Sequence, residues 1–586
     1  MKVKKTIIGI FFLSILFTSC VDDILKKPIG SDLPVDSVFS TKQKALGAIA
    51  TAYSYSLIAG ITTNGWDHNR TWGMRSGTMG LFSGELCAIR HSYEDGWMIA
   101  HGGMTADDGT GIPLSDDSFL ANYVAIRHNY LVIENIDKVQ DMSNAEKLQV
   151  KAEMATLIAY RYSEMFKRYG GVPIVTQSLN SIDDIIIPRS NLYEVLQHII
   201  TLCDEAVVDL PDSYPKEMHG RATKGVALAV KAEALMFAAR PLFNSATPYL
   251  DLGENNDLIC FGQHDMSRWD DAIKANEAVI KWAETSGTNY IINTGSPLDD
   301  YGTAVATPSN PEVLIAYKAQ YSSDADGNKY YPLGPSGGAN AMSFNQLSQY
   351  SKADGTAQVW PNVDELLPYS DYYKKIMEME PRYKASASGA GLDAWNNPND
   401  DFWNARALTY GSTWEGIGNG EGCGRRVKFW YKAGRRDWFE FPVYRLAEFY
   451  LNLAEAYNEI NNSTESLKNL NIIRKRGGVP EITETDQEKL REIIQKEWAV
   501  EFYEEAHRLY DVKHWKHKDI GNGIIGGPHY TFRFTYKNGE YAFEPKDYID
   551  YTIKEMYNGF WNPNQYLSPF PVTEVNKGYL IQNPGY

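Results

Sequence analysis

The sequence has few cysteines and histidines, and their scarcity excludes several kinds of site. Its 586 residues include 5 Cys and 11 His. Neither residue type forms a C-x-x-C or H-E-x-x-H pattern, and no Walker motif occurs, so we predict no metal site and no cofactor. The stretch from Asp324 to Asn328 has the oxygen-rich start of a calcium loop but lacks the closing glutamate. A solvent-exposed turn is favoured there, and bound calcium stays open.

The chain is also short of basic residues and of long apolar runs. Its formal net charge of −17 makes a nucleic-acid role unfavourable, because phosphate binding needs clustered Lys and Arg. The apolar run from Ile7 to Phe17 follows three lysines and is too short to span a bilayer. It predicts a signal peptide covering residues 1–19.

The signal peptide ends in a pattern that resembles a lipobox. Small residues precede Cys20, which would become the lipidated first residue of the mature protein, with a palmitate-bearing anchor. Asp22 and Asp23 behind it resemble a tag for display on the cell surface. The alternative is an ordinary secretory peptide with an incidental cysteine. The resemblance predicts an outer-membrane, lipid-anchored protein that faces the cell exterior.

The remaining cysteines are far apart, and three disulfide pairings are open for them. Cys203 lies within an apolar helix pattern, where we expect it to be buried and inert. The others are Cys87, Cys260 and Cys423.

The most regular pattern lies between Arg445 and Trp515. In its first part apolar residues recur at three- and four-residue steps from Leu446 to Tyr457, which predicts a helix with one buried face. A second helix starts behind Asn462 and ends at Gly477 and Gly478. The last stretch predicts one helix running through to Trp515. Small residues beside bulky ones allow close packing, as in tetratricopeptide-type hairpins.

The last stretch has a regular set of charged residues that ends in a tryptophan: Glu497, Glu501, Glu505, Arg508, Asp511 and Trp515. These residues match the pattern E-R-x-x-E-L-x-x-E-G-x-R-x-x-D-L-x-R-W, and the departures from it are Trp498, Phe502, Ala506, Val512 and His514. The stretch thereby resembles the C-terminal signature of the SusD/RagB family of outer-membrane nutrient-binding lipoproteins.

Two other stretches support the resemblance. A predicted helix with Ala159, Tyr160 and Tyr162 runs into Val172-Pro173, as in the family, although Ile158 replaces an arginine. The chain closes on a P-x-P-x-x-E and Q-N-P-G-Y pattern, with Phe570 in place of Ile.

The resemblance and the helix periods together predict a mostly α-helical fold. We expect a tetratricopeptide-like scaffold at about 40–290 and 440–520, a loop-rich lobe with few short strands at about 290–440, and a C-terminal segment at 520–586. Residues 20–586 would form one domain.

Aromatic residues make up 13% of the chain, and many lie in irregular regions. Trp and Tyr side chains stack well on the flat faces of sugars, while loops on a rigid scaffold often carry binding residues. The alternative for each residue is that it fills a gap between loop and scaffold. The candidate ligand-binding residues are Trp66, Trp72, Trp97, Tyr321, Tyr330, Tyr331 and Trp395.

The resemblance implies a non-enzymatic protein that captures a glycan and passes it to a SusC-like, TonB-dependent transporter. Two alternatives remain: capture of a peptide or protein, and a glycosidase using carboxylates such as Glu497, Glu501 and Glu505, whose four-residue spacing places them on one helix face. Ordinary ion pairing along the helix, for example between Glu505 and Arg508, is the simpler explanation of that spacing. The glycan, its linkage and the stoichiometry with the transporter cannot be read from the sequence.

Overall fold

The computed structural model describes residues 35–57, 80, 82–86, 100–106, 119–179, 186–320, 341–388, 423–426, 428–430, 438–536 and 549–586. Most of their regular structure is helical, which confirms the predicted fold class. The helices of the first half are α1 (Val35–Val38), α2 (Lys42–Ser56), α3 (Phe119–Asn135), α4 (Asn144–Tyr169), α5 (Leu192–Asp209), α6 (Lys224–Ala239) and α7 (Ser267–Ser286).

The second half adds shorter helices and seven strands. The helices are α8 (Pro297–Ala306), α9 (Phe344–Leu347), α10 (Tyr369–Met377), α11 (Pro381–Ser386), α12 (Leu446–Glu459), α13 (Ser463–Gly477), α14 (Gln487–Glu501), α15 (Arg508–His514) and α16 (Val572–Val575). The strands are β1 (Val313–Gln320), β2 (Leu367–Pro368), β3 (Ala387–Ser388), β4 (Arg425–Arg426), β5 (Trp438–Arg445), β6 (Gly527–Tyr536) and β7 (Ile549–Gly559).

The long helices begin and end where local chemistry directs them. Helix α4 starts with a capping box, in which Ser143 accepts the backbone N–H of Glu146 and the Glu146 carboxylate accepts the N–H of Ser143. It ends at Gly170, whose φ of +80° suits a residue without a Cβ. Helix α13 is capped by Asn462 and ends at Gly478 with φ +72°.

The helices pack in chain order, which is the arrangement of a helical-repeat scaffold. From α2 to α7, neighbouring helices in the chain contact each other, and α12 packs between α7 and α13. The shared core includes fully buried Phe166, Val230, Val279 and Phe449. Among the described residues, no helix is both long and apolar enough to cross a bilayer.

The strands form three small antiparallel sheets. β1 pairs with β5, β3 pairs with β4, and the third sheet has the order β2-β7-β6. β1 lies in the lobe at about 290–440, where a few short strands were expected, whereas the long β6–β7 hairpin was not expected. Its inward residues Phe532, Phe534, Tyr551 and Ile553 form a second core with the α9–α11 region.

The C-terminal segment is attached to helices from the first half of the chain. Arg189 donates to the carbonyls of Tyr169 and Ile581, and its guanidinium lies 4.6 Å from the centre of the Phe570 ring. Asn583 donates to the carbonyls of Tyr169 and Ser568. The last residues of the chain therefore close the scaffold.

The prediction of one helix through Trp515 is wrong. Helix α14 stops at Glu501, a turn occupies residues 502–506, and α15 starts at Arg508. Within the turn Glu504 and Ala506 have φ of +59° and +67°, a region that costs free energy for residues other than glycine. The contacts that stabilise this turn lie at the candidate site.

Candidate functional site

The predicted ligand-binding residues all fall outside the described part of the chain. This applies to Trp66, Trp72, Trp97, Tyr321, Tyr330, Tyr331 and Trp395, and also to Cys20, Cys87 and the Asp324 to Asn328 stretch. The candidate site described below consists of residues that border those segments in the chain.

Some of those bordering residues come together at one place, which we call the loop junction. It consists of three chain segments: residues 82–86, residues 341–347, and residues 423–426 with 428–430. Leu86 forms an antiparallel bridge with Met342. On the other side, Cys423 donates its N–H to the carbonyl of Met342, and Met342 donates to the carbonyl of Gly424. Three chain segments distant in sequence thus lie side by side. In chain order they border 87–99, 321–340 and 389–422, the segments that contain five of the seven predicted aromatic residues.

Side chains reinforce this contact. Ser343 donates its hydroxyl to the carbonyl of Gly84 at 2.5 Å, and its N–H to the carbonyl of Glu85 at 3.0 Å. Tyr383 donates its hydroxyl to the carbonyl of Cys423 at 2.8 Å. All of these residues are buried, so their polar groups depend on one another for hydrogen bonds.

Gly84 fits the loop junction closely. Its φ is +70°, and a Cβ at this position would lie 2.2 Å from the carbonyl oxygen of Ile524 and 2.6 Å from Cε1 of His529. The His529 ring stacks on Tyr557 with 4.5 Å between ring centres. The loop junction therefore rests directly on the β6–β7 hairpin.

The turn at 502–506 forms the other support of the loop junction. Lys428 Nζ donates to the carbonyls of Glu501 and Tyr503 at 3.1 and 2.7 Å, and it lies 2.6 Å from the Glu505 carboxylate. The Glu85 carboxylate accepts the N–H of Glu504 at 2.8 Å. Side chains from two parts of the loop junction thus satisfy peptide groups that the broken helix leaves without helical partners.

Burial acts on the charged groups of this support. It raises the pKa of Glu85 above its ordinary value, against the opposing effects of Arg508 and the Glu504 N–H. Burial also disfavours the charged form of Lys428, but the neighbouring Glu505 outweighs it and the pKa of Lys428 is raised. Lys428 therefore remains a cation at neutral pH.

A buried ion network lies beneath the turn, and it includes all three glutamates of the signature. Glu497, Glu501 and Glu505 are 3%, 0% and 4% exposed. The network joins five carboxylates to five cations: Glu312, Glu380, Glu497, Glu501 and Glu505 with Arg382, Lys428, Arg445, Arg474 and Arg476. Equal numbers of opposite charges allow such a cluster to be buried.

The network explains what the signature glutamates do. Burial would raise the pKa of Glu501, but Arg476, Arg445 and Arg382 together lower it well below its ordinary value. Glu505 pairs with Arg445 and Lys428, so the expected pair of Glu505 with Arg508 along one helix is wrong. These three carboxylates are buried and paired with cations, which is a structural role. Among the described residues, no group of three or more His, Cys, Asp or Glu side chains is placed to hold a metal ion.

Sequence reasoning missed Glu85, Ser343 and Lys428. Glu85, Ser343 and Lys428 lie in stretches without a helical period. No local signal shows that they meet the turn after α14, because the contact between Glu85 and Glu504 joins residues 419 positions apart.

The helices that pack in chain order form a tetratricopeptide-like scaffold of the kind that SusD-like structures have. The sequence model of the SusD family matches residues 311–586, and a second model, described as starch-binding and associating with the outer membrane, matches residues 104–234. The chain belongs to the SusD/RagB family. Members of this family are generally carbohydrate-binding proteins of nutrient uptake rather than enzymes.

Individual relatives agree with this assignment. The chain is 22% identical over 479 residues to SusD-like protein P25 of Formosa agariphila, covering 78% of this chain and 75% of the relative. A crystal structure of a SusD-like protein from Bacteroides fragilis superposes with a TM-score of 0.73 and 25% identity, covering 95% of this chain and all of the other. A SusD-like carbohydrate-binding protein from the same species gives a TM-score of 0.66 at 19% identity, covering 93% and 99% of the two chains.

Proposed function

We propose that this protein is a cell-surface lipoprotein that captures an oligosaccharide or polysaccharide and delivers it to a SusC-like, TonB-dependent outer-membrane transporter. The observation that carries the proposal is the membership of the SusD/RagB family, with one matching family model described as starch-binding and associated with the outer membrane. In this proposal the protein binds the glycan without changing it chemically.

We further propose that residues 1–19 are removed, that lipidated Cys20 anchors the mature chain, and that residues 20–586 act as one domain. Replacing Cys20 with serine should move the protein from the membrane fraction to the soluble fraction of lysed cells. Retention of the variant in the membrane fraction would contradict the anchor.

The glycan would contact the aromatic residues of the irregular segments, with Trp66 and Trp72 as the first to test. The support for this placement is the loop junction, where the described ends of several such segments are hydrogen-bonded together. Aromatic residues on a rigid base lose little conformational entropy on binding, which favours affinity.

The test uses soluble protein that starts after Cys20, run through native gels that contain starch, xylan, pectin, alginate or mucin glycans. Retardation by one glycan without new sugar products supports the proposal. Trp66→Ala or Trp72→Ala should abolish the retardation. Tyr193→Ala is the matched control, because Tyr193 is an aromatic residue on helix α5 that is 60% exposed.

Other results would redirect the proposal. Shortened sugars in the same mixtures would contradict a binding protein without catalysis. Absence of retardation by every glycan would favour peptide capture, which the same protein can be tested for with peptide mixtures. Pull-down of a TonB-dependent transporter by the anchored protein tests the delivery step.

A further inference from the structure

We infer that Glu85 is a positioning residue for glycan binding, because it joins the loop junction to the turn at residues 502–506. The inference rests on the proposed function and adds to it a residue that determines affinity without touching the ligand.

The helix is interrupted between α14, which ends at Glu501, and α15, which begins at Arg508. If α14 continued as a helix, the N–H of Glu504 would bond to the carbonyl of Val500 within the helix. Instead the chain takes up positive φ at Glu504 and Ala506, and the Glu504 N–H points to Glu85. Of the six non-glycine residues with positive φ among the described residues, two lie in this turn. Such strain is maintained only where the surroundings impose it.

Each of the two carboxylate oxygens of Glu85 accepts a hydrogen bond. One accepts the Glu504 N–H at 2.8 Å, and the other accepts the Ser83 hydroxyl at 2.7 Å. Glu85 is 1% exposed, so water cannot replace either bond readily. The carboxylate therefore fixes residues 83–85 to the turn.

The backbone of Glu85 and Leu86 contacts the second segment of the loop junction. Its carbonyl accepts the N–H of Ser343, and the next residue, Leu86, bridges Met342. Met342 in turn bonds to Cys423 and Gly424. Glu85 thus connects the turn to all three segments of the loop junction, and Lys428 holds the same turn from the third segment.

Loss of the Glu85 carboxylate should reduce the fraction of molecules in which the loop junction is ordered. The apparent dissociation constant for a ligand rises in inverse proportion to the fraction of binding-competent molecules. We expect Glu85→Ala to weaken glycan binding by about tenfold or more, a change of roughly 1.4 kcal/mol.

The experiment measures affinity by titration calorimetry with whichever panel polysaccharide retards the wild-type protein, together with the melting temperature of each variant. Glu85→Gln retains an oxygen for the Glu504 N–H and should restore affinity to near the wild-type value. Ser343→Ala is a milder variant for the case in which Glu85→Ala does not fold. It removes the hydroxyl that donates to the Gly84 carbonyl and accepts the N–H of Gln346, and it should weaken binding by about threefold.

The matched control is Glu153→Ala. Glu153 is also fully buried, but it lies on α4 and accepts hydrogen bonds from Tyr53, Tyr214 and Arg221. This variant should lower the melting temperature as much as Glu85→Ala does, yet leave affinity within about twofold of wild type when measured well below that temperature.

Each outcome decides the inference. If the wild type binds a glycan and Glu85→Ala binds it equally, the positioning role is overturned while the proposed function stands. Equal losses in Glu85→Ala and Glu153→Ala would show a general effect of stability and also overturn it. A wild-type protein that binds no glycan overturns the proposed function and the inference together.

Discussion

Replacing Glu501 with glutamine tests whether the buried ion network stabilises the fold through its charge balance. Arg445, Arg476 and Arg382 all contact the Glu501 carboxylate, and glutamine keeps nearly the same volume. The change would leave five cations facing four carboxylates in a buried region. Removing one partner of a buried ion pair typically costs about 3–5 kcal/mol, so we expect the free energy of unfolding at neutral pH to fall by roughly 3 kcal/mol.

Urea unfolding followed by tryptophan fluorescence measures this change, with the midpoint lowered and the slope unchanged. Glu492→Gln is the matched control on the same helix. Glu492 pairs with Lys518 at the surface, where the two side chains are 61% and 66% exposed, and its loss should change the unfolding free energy by less than about 1 kcal/mol.

The pH dependence gives a second, independent check. The pKa of folded Glu501 lies well below its ordinary value, so its contribution is fully present above the unfolded pKa of about 4.3 and is lost as the pH falls toward the folded pKa. The difference in the free energy of unfolding between the wild type and Glu501→Gln should therefore become smaller as the pH falls below about 4.3. Equal stability of the two proteins at pH 7, or a difference that does not change with pH, would refute the reasoning.

Three further predictions concern other described residues. Gly84→Ala should lower the melting temperature and weaken glycan binding, since the φ of Gly84 is +70° and a Cβ would lie 2.2 Å from the Ile524 carbonyl oxygen. The control is Gly47→Ala on α2, where a Cβ would meet nothing within 4 Å and the substitution should stabilise the fold by about 0.5–1 kcal/mol. An unchanged melting temperature in Gly84→Ala would contradict the close fit. Burial lowers the pKa of His529 to about 4, below the unfolded value of about 6.5, so its contribution to stability is present above that unfolded value and is lost as the pH falls to about 4. Between pH 7 and 4.5 the free energy of unfolding of His529→Phe should therefore fall by about 2 kcal/mol less than that of the wild type, measured by urea unfolding at both pH values. Cys203, Cys260 and Cys423 are buried, and burial raises the pKa of the Cys203 thiol, so a Cys20→Ser, Cys87→Ser protein should react with a thiol reagent only after denaturation. Rapid labelling of the native protein would show that one of the three is accessible.

The parts of the fold that were predictable are those whose signals are local. The end of α4 at Gly170 and the helix pair α12 and α13 follow from apolar periods, caps and glycines. Cys203, expected in the core from its helix pattern, is fully buried. The β6–β7 hairpin was missed although a signal existed, since Thr531, Phe532, Arg533 and Phe534 alternate in the two-residue period of a strand.

The parts that were not predictable depend on partners far away in the chain. The apolar period of α14 continues through Phe502, so sequence alone predicts an unbroken helix there. Only the contacts from Glu85 and Lys428 show why the helix stops. In the same way, regular spacing of glutamates indicates one helix face, but it cannot show that Arg382, Arg445 and Arg476 reach that face from other segments.

The attachment of the C-terminal segment has a consequence for how the chain is completed during synthesis. Arg189 and Ile581 are 392 positions apart, and Tyr169 and Asn583 are 414 apart, so these hydrogen bonds cannot form until residues 581 and 583 have been synthesised. The end of α4 and the segment before α5 therefore lack these partners during most of translation.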